Sequence, residues 1–254
     1  MRPLDLADWF EFDGDGRALT ERKPDLLARH PGTVVATEPG SQVEGAEVLE
    51  AIAAHVARFH PAILDRADER DASGPRPRPG EHPLVAAARL VPDDLLVMAE
   101  RDGALRCVAG VVCFPNRWDL PSKLGRTMRE IHAPVARLNE DLGDPIDGFF
   151  GRLGAERAYW RLGWGLNDSD ELYQPLDDTA PDRPPVPDPA EVPGRIFVRV
   201  ERETLRRLPR TGAILFTIRT HLAPVGVLSA DPEQLARLGA AAVPRRRRRV
   251  QGTE

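Results

Sequence analysis

The sequence has few cysteines, no long apolar run and none of the common catalytic motifs. Its 254 residues include only two cysteines, Cys107 and Cys113. In a single β-strand their spacing would separate the Cα atoms by roughly 20 Å, which is too far for a disulfide. Two thiols are also fewer than the protein ligands that a typical iron–sulfur cluster needs. We therefore expect both cysteines to be buried core thiols.

The lack of long apolar segments argues against a membrane protein. No run approaches the ~20 residues of a membrane-spanning helix, and Asp5 follows Met1 too closely for a signal peptide. We expect a cytoplasmic protein. The net charge of −5 argues against general nucleic-acid binding. The run Arg245–Arg249 suits phosphates or an acidic partner, but its place after Pro244 favours a disordered tail over 244–254.

Several well-known catalytic patterns are missing. The sequence contains no G-x-x-x-x-G-K-[ST], no G-x-G-x-x-G, no G-x-S-x-G and no H-E-x-x-H. These spacings place backbone amides, a nucleophile or metal ligands where the corresponding reactions need them. Nucleotide-binding, serine-hydrolase and zinc-protease functions are therefore poorly supported.

The remaining pattern predicts one domain over 1–243 with two elaborations. The proline-rich segment 71–83 predicts an exposed loop, and the proline-rich segment 176–194 predicts an excursion or linker. Apolar residues at helical spacing predict a helix over 48–59, and further helices are predicted over 122–132, over 135–153 and from Pro232. Apolar or alternating residues predict five strands, at 95–98, 105–114, 158–166, 195–203 and 213–222.

The order of these elements indicates the fold class. A hairpin around Asp102-Gly103, a block of helices and three more strands fit an α+β protein. We predict a five-stranded antiparallel sheet with helices packed on one face. A PAS-like domain has this shape and holds small ligands between sheet and helices, although periodicity alone does not distinguish it from other α+β folds.

His132 is the histidine best placed for chemistry. In a helix over 122–132 it shares an apolar face with Leu124 and Met128. A neutral imidazole on such a face suits an iron ligand. Spacing alone favours a hydrogen-bonded core histidine over an iron ligand.

Polar strand faces are the second signal. Arg161 stands on the face opposite Trp160 and Trp164, and a second polar face carries Arg199, Glu201 and Glu203. If these strand faces meet helices, the residues would form the charged floor of a pocket. The guanidinium groups could then bind carboxylates of a ligand, and Glu201 could bind a cationic substrate or transfer protons. Facing water, they would form cross-strand ion pairs. The last strand carries Arg219 and His221 in the same way.

Several motifs in this order resemble the haem-binding alpha subunits of haem-dependent oxidative N-demethylases. The resemblance extends from about residue 20 to about residue 240, and the longest of its motifs is too unusual to arise by chance. The motifs are Cys113–Trp118, Lys123–Gly125, Ile131–Val135, Arg161–Trp164 and Arg199–Thr220.

The resemblance implies a PAS-like domain that binds haem b, with His132 as the iron ligand. It implies oxygen-dependent removal of a methyl group from a small secondary amine such as dimethylamine. On that basis we expect Glu201 and Arg161 to be catalytic pocket residues. Further cofactor-binding candidates are Lys123, Arg199, Arg202 and Trp164.

Electrons in this family come from NADPH through FMN and a 2Fe-2S cluster on partner subunits. The chain lacks motifs for these groups, so the resemblance implies a separate reductase partner. Four positions depart from the family pattern, and they leave open a haem sensor or binding module without demethylase activity. These positions are Ala136, Gly163, Glu203 and His221.

Overall fold

A computed structural model describes residues 1–64, 76–133, 148–176 and 188–242. The predicted loop 71–83, excursion 176–194 and helix 135–153 therefore lie partly outside the described residues. The tail 244–254 and Ala136 lie wholly outside them.

Seven strands form one antiparallel sheet in the order β1-β6-β8-β9-β3-β4-β2. The five predicted strands are all present, and two short strands that the pattern did not predict, β1 and β2, form the edges. The strands are β1 (Arg2–Leu4), β2 (Val35–Thr37), β3 (Asp94–Arg101), β4 (Ala104–Val111), β6 (Ala158–Asn167), β8 (Phe197–Arg207) and β9 (Ile214–Pro224); β5 (Asn116–Trp118) pairs separately with β7 (Gln174–Pro175).

The described helices range from four to 18 residues in length. Four of them, α1 to α4, contribute buried apolar residues to the main core, and α3 confirms and extends the predicted helix over 48–59. The helices are α1 (Gly14–Arg29), α2 (Pro31–Val34), α3 (Gln42–Phe59), α4 (Pro83–Leu90), α5 (Met128–Ile131), α6 (Val192–Arg195) and α7 (Pro232–Ala242).

The β3–β4 hairpin confirms the Asp-Gly turn. Asp102 and Gly103 both have positive φ, 52° and 75°, and Arg101 pairs with Ala104 across the turn. Such a two-residue turn requires left-handed backbone at both central positions, which Asp-Gly tolerates.

The predicted helix over 122–132 is wrong. The chain forms a 3-10 turn at Pro121–Lys123, becomes extended at Leu124 and restarts as a helix at Met128. Gly125 has a φ of 74° and donates its N–H to the carbonyl of Cys107 at 2.8 Å. This bond to β4 and the left-handed backbone at Gly125 end any helix that starts at Ser122.

Apolar clusters cover both faces of the sheet. On one face, residues of α1, α3 and α4 pack against β3 and β4 around Ile52, Leu84 and Leu95. On the other face, Met98 and Leu205 pack with Phe150. The α+β class is confirmed, and α1, α3 and α4 pack on one face of the sheet; the PAS-like arrangement stays a prediction.

The chain divides into two compact units. The first comprises Met1–Gly163, Glu171–Ala180 and Val200–His221, and the second Trp164–Asp170, Pro181–Arg199 and Leu222–Glu254. The single domain over 1–243 stays a prediction. Within the second unit, the N–H of Val225 donates to the carbonyl of Ile196 at 2.8 Å. Among the described helices, none is long and apolar enough to cross a membrane.

Candidate functional site

A cavity of about 720 Å³ lies within the first unit. This volume falls in the range of ~300–1,000 Å³ that is usual for small-molecule and cofactor sites. Its described lining is mostly apolar and aromatic, with contributions from Phe114, Trp118, Phe149, Tyr159 and Phe216. None of these aromatic residues was predicted as a site residue, because an apolar residue in a cavity wall and one in a core have the same sequence pattern.

Alternation along β8 decides which charged residues reach the cavity. Glu201, Glu203 and Leu205 line it, whereas Thr204 is fully buried on the other face, where its hydroxyl accepts a hydrogen bond from Trp9 Nε1 at 3.2 Å. Successive side chains of a strand point to opposite faces, so the predicted acidic face of this strand forms part of the cavity wall.

His132 lines the cavity directly after α5. Its Nδ1 lies 2.9 Å from the carbonyl oxygen of Met128. Because a carbonyl only accepts, Nδ1 carries the proton and Nε2 presents its lone pair. Desolvation lowers the pKa of His132, the hydrogen bond to Met128 opposes this, and the positive charges of Arg161 and Lys123 lower it further. The imidazole is therefore neutral near pH 7.

Arg161 and Glu203 form an ion pair in the cavity wall. Arg161 Nε donates to Glu203 Oε2 at 2.5 Å, and both residues line the cavity. The Glu203 side chain is 9 % exposed, against 49 % for Arg161. Desolvation raises the pKa of Glu203, Arg161 opposes the shift, and the charge of Glu201 adds to it.

Asp94 is a third cavity carboxylate that sequence reasoning missed. Its Oδ1 accepts the backbone N–H of Cys113 at 2.7 Å and its Oδ2 accepts that of Phe114 at 3.0 Å. These bonds attach the segment after β4 to the start of β3. The acidic pair Asp93-Asp94 before an apolar run was the signal that could have indicated it.

The other cofactor-binding candidates lie in different places. Lys123 Nζ lies 5.9 Å from the ring centre of Trp118, a cavity residue. Arg202 donates to the carbonyls of Trp9 and Asp8 at 3.0 and 2.6 Å. Arg199, which is buried, and Trp164, which is 47 % exposed, belong to the second unit. None of these four is among the described residues that line the cavity.

The polar residues of β9 contact the N-terminal segment instead of the cavity. Arg219 donates to Asp13 at 3.0 Å, and His221 Nε2 lies 3.1 Å from Glu11 Oε2. Neither is among the described cavity residues, whereas Phe216 of the same strand is. The two polar strand faces considered together in the sequence therefore belong to different sites.

His30 and His55 contact aromatic side chains, and both cysteines are buried. His30 stacks on Tyr173, and His55 lies among aromatic rings. Cys107 and Cys113 are buried and free, as predicted, and burial raises the pKa of each thiol to about 12. Within the described ranges, no group of three or more His, Cys, Asp or Glu side chains could hold a metal ion.

A ligand-sized, largely apolar cavity with one neutral imidazole and three carboxylates is typical of proteins with a site for a small molecule or cofactor. The sequence matches the family described as haem-dependent oxidative N-demethylase, alpha subunit-like, over residues 1–243. The chain belongs to this family.

The described residues of the cavity fit the haem that the family name specifies. A haem iron takes one histidine from the protein and needs no cluster of ligands. His132 supplies a neutral ring whose second nitrogen is already bonded to a carbonyl, an arrangement that orients metal-binding histidines. The aromatic lining suits an apolar macrocycle.

Proposed function

We propose that this chain is the haem-binding subunit of an oxygen-dependent oxidative N-demethylase that acts on a small secondary amine such as dimethylamine. The observation that carries the proposal is the presence of His132 in the wall of the same cavity as Glu201, Glu203 and Arg161. Haem b would be the resident cofactor, and dioxygen the second substrate.

His132 would be the iron ligand. Its proton lies on Nδ1 and is bonded to the carbonyl of Met128, so Nε2 would be the atom that coordinates the iron. Lys123, whose Nζ lies 5.9 Å from the ring centre of the cavity residue Trp118, would bind a propionate. Bound haem would supply oxygen activation. The contacts of Arg202 with Trp9 and Asp8 favour a structural role for that residue.

The carboxylates would bind the amine. A small secondary amine is an ammonium ion at neutral pH, and a half-buried carboxylate in an apolar cavity attracts it more strongly than one in water. Glu201 would hold the ammonium and accept its proton. Arg161 would polarise the same region from β6 while paired with Glu203.

The electrons would come from NADPH through FMN and a 2Fe-2S cluster on a reductase partner in the cytoplasm. Both cysteines of this chain are buried thiols of high pKa. They support no electron-transfer cluster here, so the proposal requires a second protein.

The visible spectrum of purified protein expressed with ample haem tests the proposal. The wild type should show a Soret band that His132→Ala loses or shifts. His30→Ala is the matched control, because His30 stacks on Tyr173 and neither residue is among the described residues that line the cavity. A wild type without a band contradicts the proposal; an equal band in wild type and His132→Ala excludes His132 as the iron ligand.

A second candidate function is a haem sensor or binding module without turnover. The observation that favours it is the proximity of Gly163 and Glu203, two residues that depart from the family pattern. A Cβ atom on Gly163 would lie 3.2 Å from Glu203 Oε1. The oxygen consumption that depends on added dimethylamine, measured with a chemical reductant, distinguishes the two functions. A sensor would retain the Soret band and consume oxygen at the same rate with and without the amine.

A further inference from the structure

Gly163 leaves space for the carboxylate of Glu203. A Cβ atom at position 163 would lie 3.2 Å from Glu203 Oε1, closer than ordinary van der Waals contact. The φ angle of Gly163 is not in the left-handed region, so space, and not backbone conformation, distinguishes glycine at this position. Glu203 Oε1 therefore lies against β6, while Oε2 accepts the hydrogen bond from Arg161.

This arrangement fixes the charge of the cavity wall. The charged side chains among its described lining residues are the carboxylates Asp94, Glu201 and Glu203 and the guanidinium of Arg161. Glu203 contacts Arg161 directly at 2.5 Å and is nearly excluded from solvent. The guanidinium is thereby neutralised at close range.

Without Glu203, the same wall would present a different charge. An unneutralised guanidinium repels an ammonium group, and its fork of N–H donors binds a carboxylate well. Selection between ligands often depends on such a repulsive element as much as on an attractive one. The ion pair thus removes an anion-binding group from the cavity.

We propose that Glu203 is a specificity-determining residue, which by pairing with Arg161 makes the cavity prefer a simple alkylammonium ion over an amine that also bears a carboxylate. This inference rests on the proposed function, because it concerns the amine of the same cavity. Gly163 acts with it as a positioning residue, since it leaves room for the pair.

Calorimetric titration of the purified full-length protein with dimethylammonium chloride and with N-methylglycine tests the inference. The wild type should bind dimethylammonium more tightly. Glu203→Gln keeps the size of the side chain and removes its charge, so the preference should fall by about tenfold or more. Glu100→Gln, an exposed carboxylate on β3, is the matched control and should keep the wild-type preference.

A double variant separates the charge effect from a loss of structure. Arg161→Met added to Glu203→Gln removes the guanidinium as well, and should restore the wild-type preference to within about threefold. The inference is overturned if Glu203→Gln keeps the wild-type preference, if the double variant does not restore it, or if the wild type binds neither amine. Binding is measured without turnover, so an inactive protein that shows these shifts contradicts the proposed function alone.

Discussion

Adjacent residues on one strand serve separate structures in this protein. Glu201 and Glu203 line the cavity, whereas Arg202 donates to the carbonyls of Trp9 and Asp8 on the opposite side. A sequence pattern identifies the alternation, but it does not identify the face that meets a ligand. For this reason Arg202 and Glu201 were equally good candidates in the sequence.

The two cysteines give a prediction at the scale of single residues. Burial raises the pKa of both thiols to about 12, although Cys107 also lines the cavity. At pH 8 the thiolate fraction would be on the order of 10⁻⁴, and only the thiolate reacts. We expect negligible reaction with Ellman's reagent in the folded protein and two rapidly reacting thiols in urea. Rapid reaction of one thiol in the folded protein would contradict the prediction.

At the scale of elements, the segment before His132 is positioned by bonds to the sheet. Gly125 donates to Cys107, and the N–H of Cys107 donates to the carbonyl of Arg126 at 2.9 Å. Thr127 and Glu130 then cap α5 reciprocally. The imidazole therefore reaches the cavity from a short helix next to β4, and not from the three-turn helix that the apolar spacing predicted.

Gly125→Ala should destabilise this segment. The φ of 74° strains any side chain, and a Cβ atom there would lie 3.1 Å from Glu38 Oε1. We expect the free energy of unfolding to fall by about 1–2 kcal/mol in urea denaturation. Gly151→Ala is the control, since a Cβ atom there meets nothing within 4 Å. Equal free energies of unfolding for the Gly125→Ala variant and the wild type would show that a side chain at position 125 causes no backbone strain.

At the scale of the whole molecule, buried polar contacts attach the N-terminal segment to the centre of the sheet. Trp9 Nε1 donates to Thr204, and the hydroxyls of Thr204 and Thr217 lie 2.7 Å apart. Thr217 in turn donates to Asp93 Oδ1 at 3.0 Å. His55 closes this region with ring contacts to Trp9 and neighbouring aromatic residues.

His55 makes stability depend on pH. Desolvation, with smaller effects from His60 and Arg206, lowers its pKa from 6.5 to about 4. Between pH 6.5 and pH 4 the unfolded chain binds the proton of His55 more strongly than the folded protein does. The stability that neutral His55 contributes is therefore complete above pH 6.5 and is lost as the pH falls towards 4. The loss amounts to at most about 3 kcal/mol.

His55→Phe should remove this dependence while keeping an aromatic ring. We expect urea denaturation at several pH values to show that the free energy of unfolding of the variant, relative to that of the wild type, increases as the pH falls from 6.5 to 4. The difference is the informative quantity, because Asp93, whose pKa desolvation raises to about 7, contributes a slope of opposite sign in both proteins. A difference that does not change with pH would contradict the shifted pKa.

The sequence by itself determined the α+β class, the Asp-Gly hairpin, the helix up to Phe59 and the strands that carry Arg161 and Glu201, because local spacing and turn chemistry encode these features. Only the tertiary structure decided which strand faces border the cavity, how Gly125 interrupts the helix before His132, and that Asp94 and several aromatic rings complete the wall. These depend on contacts between residues far apart in the chain. The pairing of Arg161 with Glu203, 42 positions apart, has no local signal.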